Sequence, residues 1–276
     1  MSTLKMGYIF NKYEIAYISS LMGATFLFNI NMNIDDSSET VISKAKESLE
    51  RKNYVFKDFN DNYILSEEIS KYFYPFVSPD QVISGRKKQD GYEQSIVFYL
   101  KNRKFTIVEQ DLVNRDNFVF TLSEDLDNLY QNIVQFAINE KVENCIDKKS
   151  RFIISTSEYK ILKDMVAKED NEGINYFITN LKIDKSHVEN IKKLFSEDNE
   201  ILSLCFFPEY KKKPTNLKYL IYYFINNDCW KLNTDISQGD NITYSSVAEE
   251  TICNDISAHL YSMTGIRFGK YNNLFK

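Results

Sequence analysis

The sequence predicts an α+β fold with two similar halves related by a pseudo-two-fold axis, each with an antiparallel hairpin flanked by helices. Helical and strand-like apolar patterns occur in both parts of the 276 residues, and an apolar, aromatic hairpin pattern occurs twice. With 43% hydrophobic and 14% aromatic residues the chain can bury a core, which excludes a largely disordered protein.

The first half alternates helical and extended patterns. A period of two at residues 26–34 favours an extended segment, whereas Pro75 ends a predicted helix at 66–74. Pro79, Gly85 and Gly91 predict that residues 77–94 are turn-like. Further elements are helices at 11–22, after Asp36 and after an N-cap at Ser123, a hairpin at 95–110 and a strand at 118–120.

The second half follows a polar stretch at residues 139–151, which predicts a connector. We therefore divide the chain into a half at 1–140, a connector at 141–155 and a half at 156–276, folding as one cooperative unit. The second half is predicted to contain three helices, one capped by Ser157, one from Ser186 and a last one through Leu260. Its predicted extended elements are a segment at 174–178, a strand at 201–207 ended by Pro208, a hairpin at 219–235 and a strand at 242–244.

The two hairpins align when the sequence is shifted by about 124 residues, the difference between Leu220 and Ile96. SIVFYLKNRKFTIVEQD then lies over YLIYYFINNDCWKLNTD, with similar helices and basic segments at matching positions. A hairpin that is apolar on both faces needs cover on each side. We therefore predict an internal duplication in which two copies share one hydrophobic centre.

Catalytic motifs are absent from the sequence. It has no nucleophile elbow, phosphate loop or HExxH zinc motif, and its two histidines, His187 and His259, lie far apart. Glu109 and Asp111 lack the further carboxylates that a nuclease metal site needs. We therefore expect no enzyme activity, no cofactor and no metal, and the net charge of −5 argues against nucleic acid as a partner.

The four cysteines point to a reducing compartment. They are spread without any CxxC pair and are expected as buried free thiols: Cys145, Cys205, Cys229 and Cys253. No stretch approaches the roughly 20 apolar residues of a membrane span. We expect a cytoplasmic protein without membrane insertion.

Two basic segments, predicted as loops, are the local positive clusters of the chain. They hold Arg86 and Lys87 in the first half, and Lys211 and Lys212 in the second. Charged loops are commonly just solvated, and the alternative is a pair of contacts to an acidic partner. The sequence leaves both interpretations open.

The order of short helix, basic segment, aromatic hairpin and closing helix resembles the EspG-type chaperones of ESX (type VII) secretion systems and their relatives in low-GC Gram-positive bacteria. The segments that carry the resemblance are YEIAYISSLMG, LSEEISKYFYPFVSP, SIVFYLKNRKFTIVEQD and LSEDLDNLYQNIVQFA, with their second-half counterparts.

The resemblance implies a cytosolic, non-catalytic protein that binds the helical tip of a secreted client. It also implies partner-binding residues near the hairpins and basic segments, namely Arg86, Lys87, Phe98, Lys211, Lys212 and Tyr222. An immunity or phage-encoded protein that neutralises a partner is the alternative. Whether copies of the chain form a homo-oligomer stays open.

Overall fold

The computed structural model describes residues 7–24, 39–89, 91–138, 145, 148–181, 183, 188–196, 199–210, 217–225, 228–234 and 240–268. Its helices are α1 (Lys12–Leu21), α2 (Glu39–Arg51), α3 (Glu67–Val77), α4 (Leu126–Ala137), α5 (Thr156–Ala167), α6 (Asn171–Asn180), α7 (Val188–Phe195) and α8 (Glu249–Thr264). Its strands are β1 (Tyr8–Asn11), β2 (Val55–Lys57), β3 (Tyr63–Leu65), β4 (Gln81–Gln89), β5 (Tyr92–Lys101), β6 (Lys104–Gln110), β7 (Asn117–Ser123), β8 (Arg151–Ser155), β9 (Glu200–Phe207), β10 (Lys218–Ile225), β11 (Asp228–Thr234) and β12 (Asn241–Val247). The predicted α+β class is confirmed.

The chain divides into two compact units. The first comprises Met1–Ser84, Gln94–Leu129 and Phe206–Leu217, and the second comprises Gly85–Glu93, Tyr130–Cys205 and Lys218–Lys276. In chain order, the elements β1-α1-α2-α3-β4-β5-β6-β7-α4 are followed by the corresponding series β8-α5-α6-α7-β9-β10-β11-β12-α8, with β2 and β3 additional in the first series. The element order therefore repeats. Its origin by duplication stays a prediction, as do the domain limits.

The first unit contains strands in the order β1-β7-β6-β5-β4. Strands β5 and β6 form the predicted hairpin, with Phe98 opposite Ile107 and Tyr99 opposite Thr106. Because side chains alternate across a strand, Tyr99 faces one apolar cluster while Phe98 points to the other side of the sheet. That cluster is a buried, largely aromatic core of Phe10, Ile15, Ile18, Leu49, Val55, Ile69, Phe73, Phe76, Val82, Val97, Tyr99, Val108 and Phe120.

The second unit contains strands in the order β9-β10-β11-β12-β8. Strands β10 and β11 form the second predicted hairpin, with Tyr223 opposite Trp230 and Tyr222 opposite Lys231. The Tyr223 face packs on α5, α6 and α7 side chains in a buried core of Phe152, Ile154, Leu162, Ile174, Ile178, Ile183, Ile191, Leu194, Phe195, Tyr223, Ile225, Trp230 and Tyr244. Trp230 is therefore a core residue.

The helix that follows the first strand begins with a capping box in each unit. In α1, the Asn11 side chain accepts a hydrogen bond from the Glu14 backbone amide, and the Glu14 carboxylate accepts one from the Asn11 backbone amide. In α5, Ser155 and Glu158 make the same reciprocal pair. Each box satisfies two backbone donors that a helix start otherwise leaves without a partner.

Two segments predicted as irregular or extended adopt other structures. Residues 77–94 were expected to be turn-like, but Gln81–Gln89 forms strand β4, where Val82 and Ile83 are buried, and β5 begins at Tyr92. Residues 174–178 were expected as extended, but they lie within helix α6. Asp170 caps that helix, and Ile174 and Ile178, four residues apart, are buried on one helical face.

Several predicted boundaries also differ. Helix α3 continues past Pro75 and ends at Val77. Because Pro75 lies in the last turn, the helix loses one backbone hydrogen bond there, and its continuation buries Phe76. Ser123 ends strand β7, so it does not cap α4. Ser155 replaces Ser157 as the cap of α5.

Some elements had no counterpart in the predictions. The last five residues of the predicted connector, Arg151–Ser155, form β8, and strands β1, β2 and β3 are also additional. The extended segment predicted at 26–34 and the helix start predicted at Asp36 lie outside the described residues.

Candidate partner-binding site

The tip of the β4–β5 hairpin presents polar and aromatic groups on the surface of the second unit. We call Arg86, Tyr92 and Glu93 the tip surface. Arg86 donates to the Glu93 carboxylate across the hairpin at 2.6 Å, and both side chains are about half exposed or more. Gly91 has φ +77°, a backbone conformation that glycine adopts without strain and that the tight turn requires. The turn leaves Tyr92 78% exposed.

Lys87 points away from the tip surface and into the unit. Its Nζ donates to the carbonyl oxygen of Phe136, at the end of α4, over 3.2 Å. Burial lowers the pKa of the Lys87 ammonium, while the nearby carboxylate of Glu200 opposes the lowering. Lys87 therefore acts as an internal hydrogen-bond donor and is not an exposed charge.

Strand β9 approaches the same region. The Ser203 hydroxyl lies 3.5 Å from the carbonyl oxygen of Arg86. Farther along β9, Cys205 accepts a hydrogen bond from the exposed phenol of Tyr219 on β10, and that bond is the main cause of a raised Tyr219 pKa. Tyr219 thus adds a second exposed aromatic group on this part of the second unit.

The structure describes four of the six residues predicted for partner binding. Phe98 and Tyr222 are fully buried, and a buried ring offers no surface to a partner, so both belong to the cores of their units. Lys211 and Lys212 lie outside the described residues. Arg86 and Lys87 lie on strand β4 and not on a loop, and Arg86 is the exposed one among the four members that the structure describes.

Tyr222 takes part in a polar network under α8. Its phenol donates to the Asp255 carboxylate at 2.6 Å, and Lys231 Nζ reaches the same oxygen at 2.7 Å. Burial, with the Asp255 charge, raises the pKa of Tyr222. Burial also lowers the pKa of His259 on the same helix. The opposite charges of Lys231 and Asp255 neutralise each other, which is what an internal ion pair requires for stability.

A second exposed apolar surface lies on the β2–β3 hairpin of the first unit. Phe56 and Ile64 stand opposite each other in register and are exposed, whereas Val55 on the other side of the hairpin is buried. Phe59 at the turn is fully exposed. This surface is a competing location for a partner, and it serves as a control for the tip surface.

Sequence reasoning missed Tyr92, Glu93 and Tyr219. The Asp90-Gly91 pair, a typical hairpin-turn dipeptide shortly before the apolar run of residues 95–100, was the signal for the tip. The low apolar content of residues 85–91 hid the strand that leads into it.

The residues that the structure describes show neither a metal-binding cluster nor a membrane-spanning helix. Among them, no group of three or more histidine, cysteine, aspartate or glutamate side chains could hold a metal ion. Within the same residues, no helix combines the length and the apolar character needed to cross a bilayer.

Comparison with known proteins gives a structural match. The fold is similar to that of EspG5. This type VII secretion system chaperone of Mycobacterium tuberculosis was solved in complex with the PE25–PPE41 dimer, and it matches with a TM-score of 0.61 and 8% sequence identity. The match covers 94% of the present chain and 97% of EspG5. No protein-family model matches the sequence, and no curated protein does.

Proposed function

We propose that this chain is a non-catalytic cytoplasmic chaperone or adaptor that binds a helical protein client of a type VII secretion system. The observation that carries the proposal is the similarity of fold to EspG5 over nearly the whole of both chains. EspG5 binds the PE25–PPE41 dimer. A fold hosts more than one function, so the proposal rests also on the exposed groups of the chain itself.

The tip surface has the chemistry of a protein-recognition site. Exposed tyrosine and arginine are enriched where proteins bind each other, because they combine large contact area with hydrogen bonding. The Arg86–Glu93 ion pair is exposed, and such pairs contribute only about 0–1 kcal/mol to folding. Arg86 and Glu93 can therefore each leave this ion pair and bind an oppositely charged group of a client, with little loss of folding stability.

The absence of catalysis is part of the proposal. The polar network of Tyr222, Lys231 and Asp255 is internally neutralised, since the Lys231 ammonium and the Tyr222 phenol both donate to the Asp255 carboxylate. Tyr222 is fully buried and has no access to a substrate. These residues are best explained as structural.

Co-purification tests the proposed function. The tagged full chain is co-expressed with the small helical proteins encoded beside its gene, and the complex is measured by size-exclusion chromatography with mass analysis. We expect one helical secreted protein, or a helical pair, to elute with the chain. Recovery of a toxin that the chain inactivates would instead support an immunity protein. Failure of every helical neighbour to bind would contradict the chaperone proposal.

A further inference from the structure

One face of the sheet in the first unit is partly uncovered at its β1 edge. Ile9 of β1 stands opposite Val119 of β7, which in turn stands opposite Glu109 of β6. We call these three residues the edge row. The adjacent positions Phe10 and Val108 face the buried aromatic core, so the edge row points away from that core. Ile9 is 51% exposed, and Val119 and Glu109 are partly buried.

The Glu109 carboxylate is the charged group of the edge row. Within the residues that the structure describes, it accepts no hydrogen bond and makes no ion pair. Burial raises the pKa of its carboxyl, and no cation in that part of the chain opposes the rise. A partly buried charge without a partner costs folding free energy. The fold itself therefore gives no reason for a carboxylate at this position.

Lys52 contacts β1 but does not supply the missing cation. Its ammonium lies 3.4 Å from the Ile9 carbonyl oxygen, and it pairs with the Glu14 carboxylate at 2.7 Å. Glu14 is buried and belongs to the capping box of α1. Lys52 is thus used to neutralise Glu14, and the charge of Glu109 stays available to a cation from outside the chain.

The second unit repeats the edge row with an amide in place of the carboxylate. Ile153 of β8 stands opposite Thr243 of β12, which stands opposite Asn233 of β11. Ile153 is 48% exposed, close to the value for Ile9. The sheet of the second unit therefore forms with an uncharged residue at the position that corresponds to Glu109. This second row is a natural control for the first.

We propose that the edge row is a binding site for a lysine or arginine side chain of a protein partner. The apolar stem of that side chain would lie on Ile9 and Val119, and its charged end would pair with Glu109. Charge complementarity selects this ligand, because a cation compensates the partly buried carboxylate, whereas an apolar or acidic group does not. The inference does not depend on the proposed chaperone function, since it concerns the chemistry of the partner.

Methyl NMR of the full chain tests the site, because isoleucine labelling reports both rows in one spectrum. The probe is n-hexylammonium, a lysine-like cation on an apolar chain, and n-hexanol is its uncharged counterpart. We expect hexylammonium to shift the Ile9 methyl resonance saturably, with a dissociation constant of the order of 10 mM for a ligand of this size. Hexanol should bind there at least about fivefold more weakly. The Ile153 methyl should not distinguish the two probes, and Ile9→Val and Ile153→Val assign the two resonances.

Glu109→Gln separates the charge of the site from its shape. This variant should bind hexylammonium at least about fivefold more weakly and hexanol equally well. It should melt at the same temperature as the unchanged protein or at a higher one, because it removes a charge that has no partner. Glu189→Gln on α7 is the matched control, since Glu189 is exposed, and it should leave the Ile9 response unchanged.

Four results would overturn the proposal. They are an Ile9 methyl that does not move at several times the expected dissociation constant, equal binding of the two probes at Ile9, equal discrimination at Ile9 and Ile153, and undiminished hexylammonium binding by Glu109→Gln. A lower melting temperature of Glu109→Gln would assign the carboxylate to the fold and would likewise contradict it. The comparison of the two probes uses the unchanged protein, so it decides even if the variant fails to fold.

Discussion

The Lys87 ammonium donates to the carbonyl oxygen of Phe136 at 3.2 Å, which ties strand β4 to the end of helix α4. Lys87, which is next to Arg86 of the tip surface in sequence, therefore makes its hydrogen bond inside the second unit. Its neighbour Arg86 points outward and pairs with Glu93. Adjacent positions on one strand thus have opposite roles, as the alternation of side chains requires.

Charge reversal separates these two roles. Lys87→Glu should lower the free energy of unfolding by about 2 kcal/mol, because a half-buried carboxylate would face the Phe136 carbonyl and the Glu200 charge. Arg86→Glu, one residue away and exposed, should change it by less than about 0.5 kcal/mol. Urea denaturation measures both. Equal effects from the two variants would contradict the inward orientation of Lys87.

The network under α8 predicts a graded loss of stability. Tyr222→Phe removes one hydrogen bond to Asp255 and should cost about 1 kcal/mol. Asp255→Asn also leaves the largely buried Lys231 ammonium without its counter-charge and should cost about 3 kcal/mol. The two variants and the double variant form a thermodynamic cycle in denaturant unfolding. Additive losses would show that the two side chains do not interact.

Alkaline pH should destabilise the fold. Burial raises the pKa of Tyr130 and of Tyr223 to about 12, from an ordinary value of 10.0, so the folded chain keeps protons that the unfolded chain releases. This contribution is complete below pH 10 and falls as the pH rises from 10 to 12, by about 1.4 kcal/mol per pH unit for each group.

Urea midpoints at pH 9, 10 and 11, measured with a reductant present, check this dependence. Tyr223→Phe is the matched variant, since it removes one of the titrating phenols while keeping the ring. It should flatten the curve above pH 10. A curve as steep as that of the unchanged protein would contradict the assignment.

The two capping boxes should contribute equally in the two units. Asn11→Ala and Ser155→Ala each remove the side-chain acceptor of a helix start and should cost about 1 kcal/mol. Ser157→Ala, in α5, removes only a hydroxyl that lies 2.9 Å from the Ser155 hydroxyl and leaves both reciprocal bonds of the box, so it should cost less, a few tenths of a kcal/mol. Thermal unfolding compares the three variants. A loss at Ser157 as large as at Ser155 would contradict the observed cap.

The hairpins were predictable from the sequence because their long apolar runs admit few other structures. The run around Phe98 and the run around Tyr222 both form paired strands at the expected positions. Strand β4 was not predictable in the same way. Residues 85–89 carry glycine and charge, and their pairing in the sheet, which is a tertiary effect, overrides their weak strand propensity.

The candidate site was only partly predictable for a related reason. Sequence reasoning located the basic segment but could not assign the direction of each side chain, which depends on the register of β4. Lys87 turns inward and Arg86 outward for that reason. The exposed Tyr92 was missed because aromatic residues near apolar strands are usually buried, and only the turn at Gly91 exposes it.

Tyrosine substitutions test whether the tip surface carries client affinity. Tyr92→Ala should weaken binding of a co-purified helical client about tenfold or more, as removal of an aromatic anchor does, and should leave the melting temperature nearly unchanged. Tyr176→Ala on α6 of the same unit is the matched control, because Tyr176 is 72% exposed. Phe56→Ala probes the competing surface on the first unit. A loss of affinity with Phe56→Ala alone would move the site to the β2–β3 hairpin.

Photocrosslinking in living cells tests the central claim most directly. A benzophenone amino acid is placed at position 92, or at position 176 as the control, in the full chain expressed from its own gene neighbourhood. The account predicts a crosslink from position 92, and not from 176, to a helical protein that the type VII system exports. A crosslink pattern that is the same at both positions, or a position-92 product that is not a secreted helical protein, would contradict it.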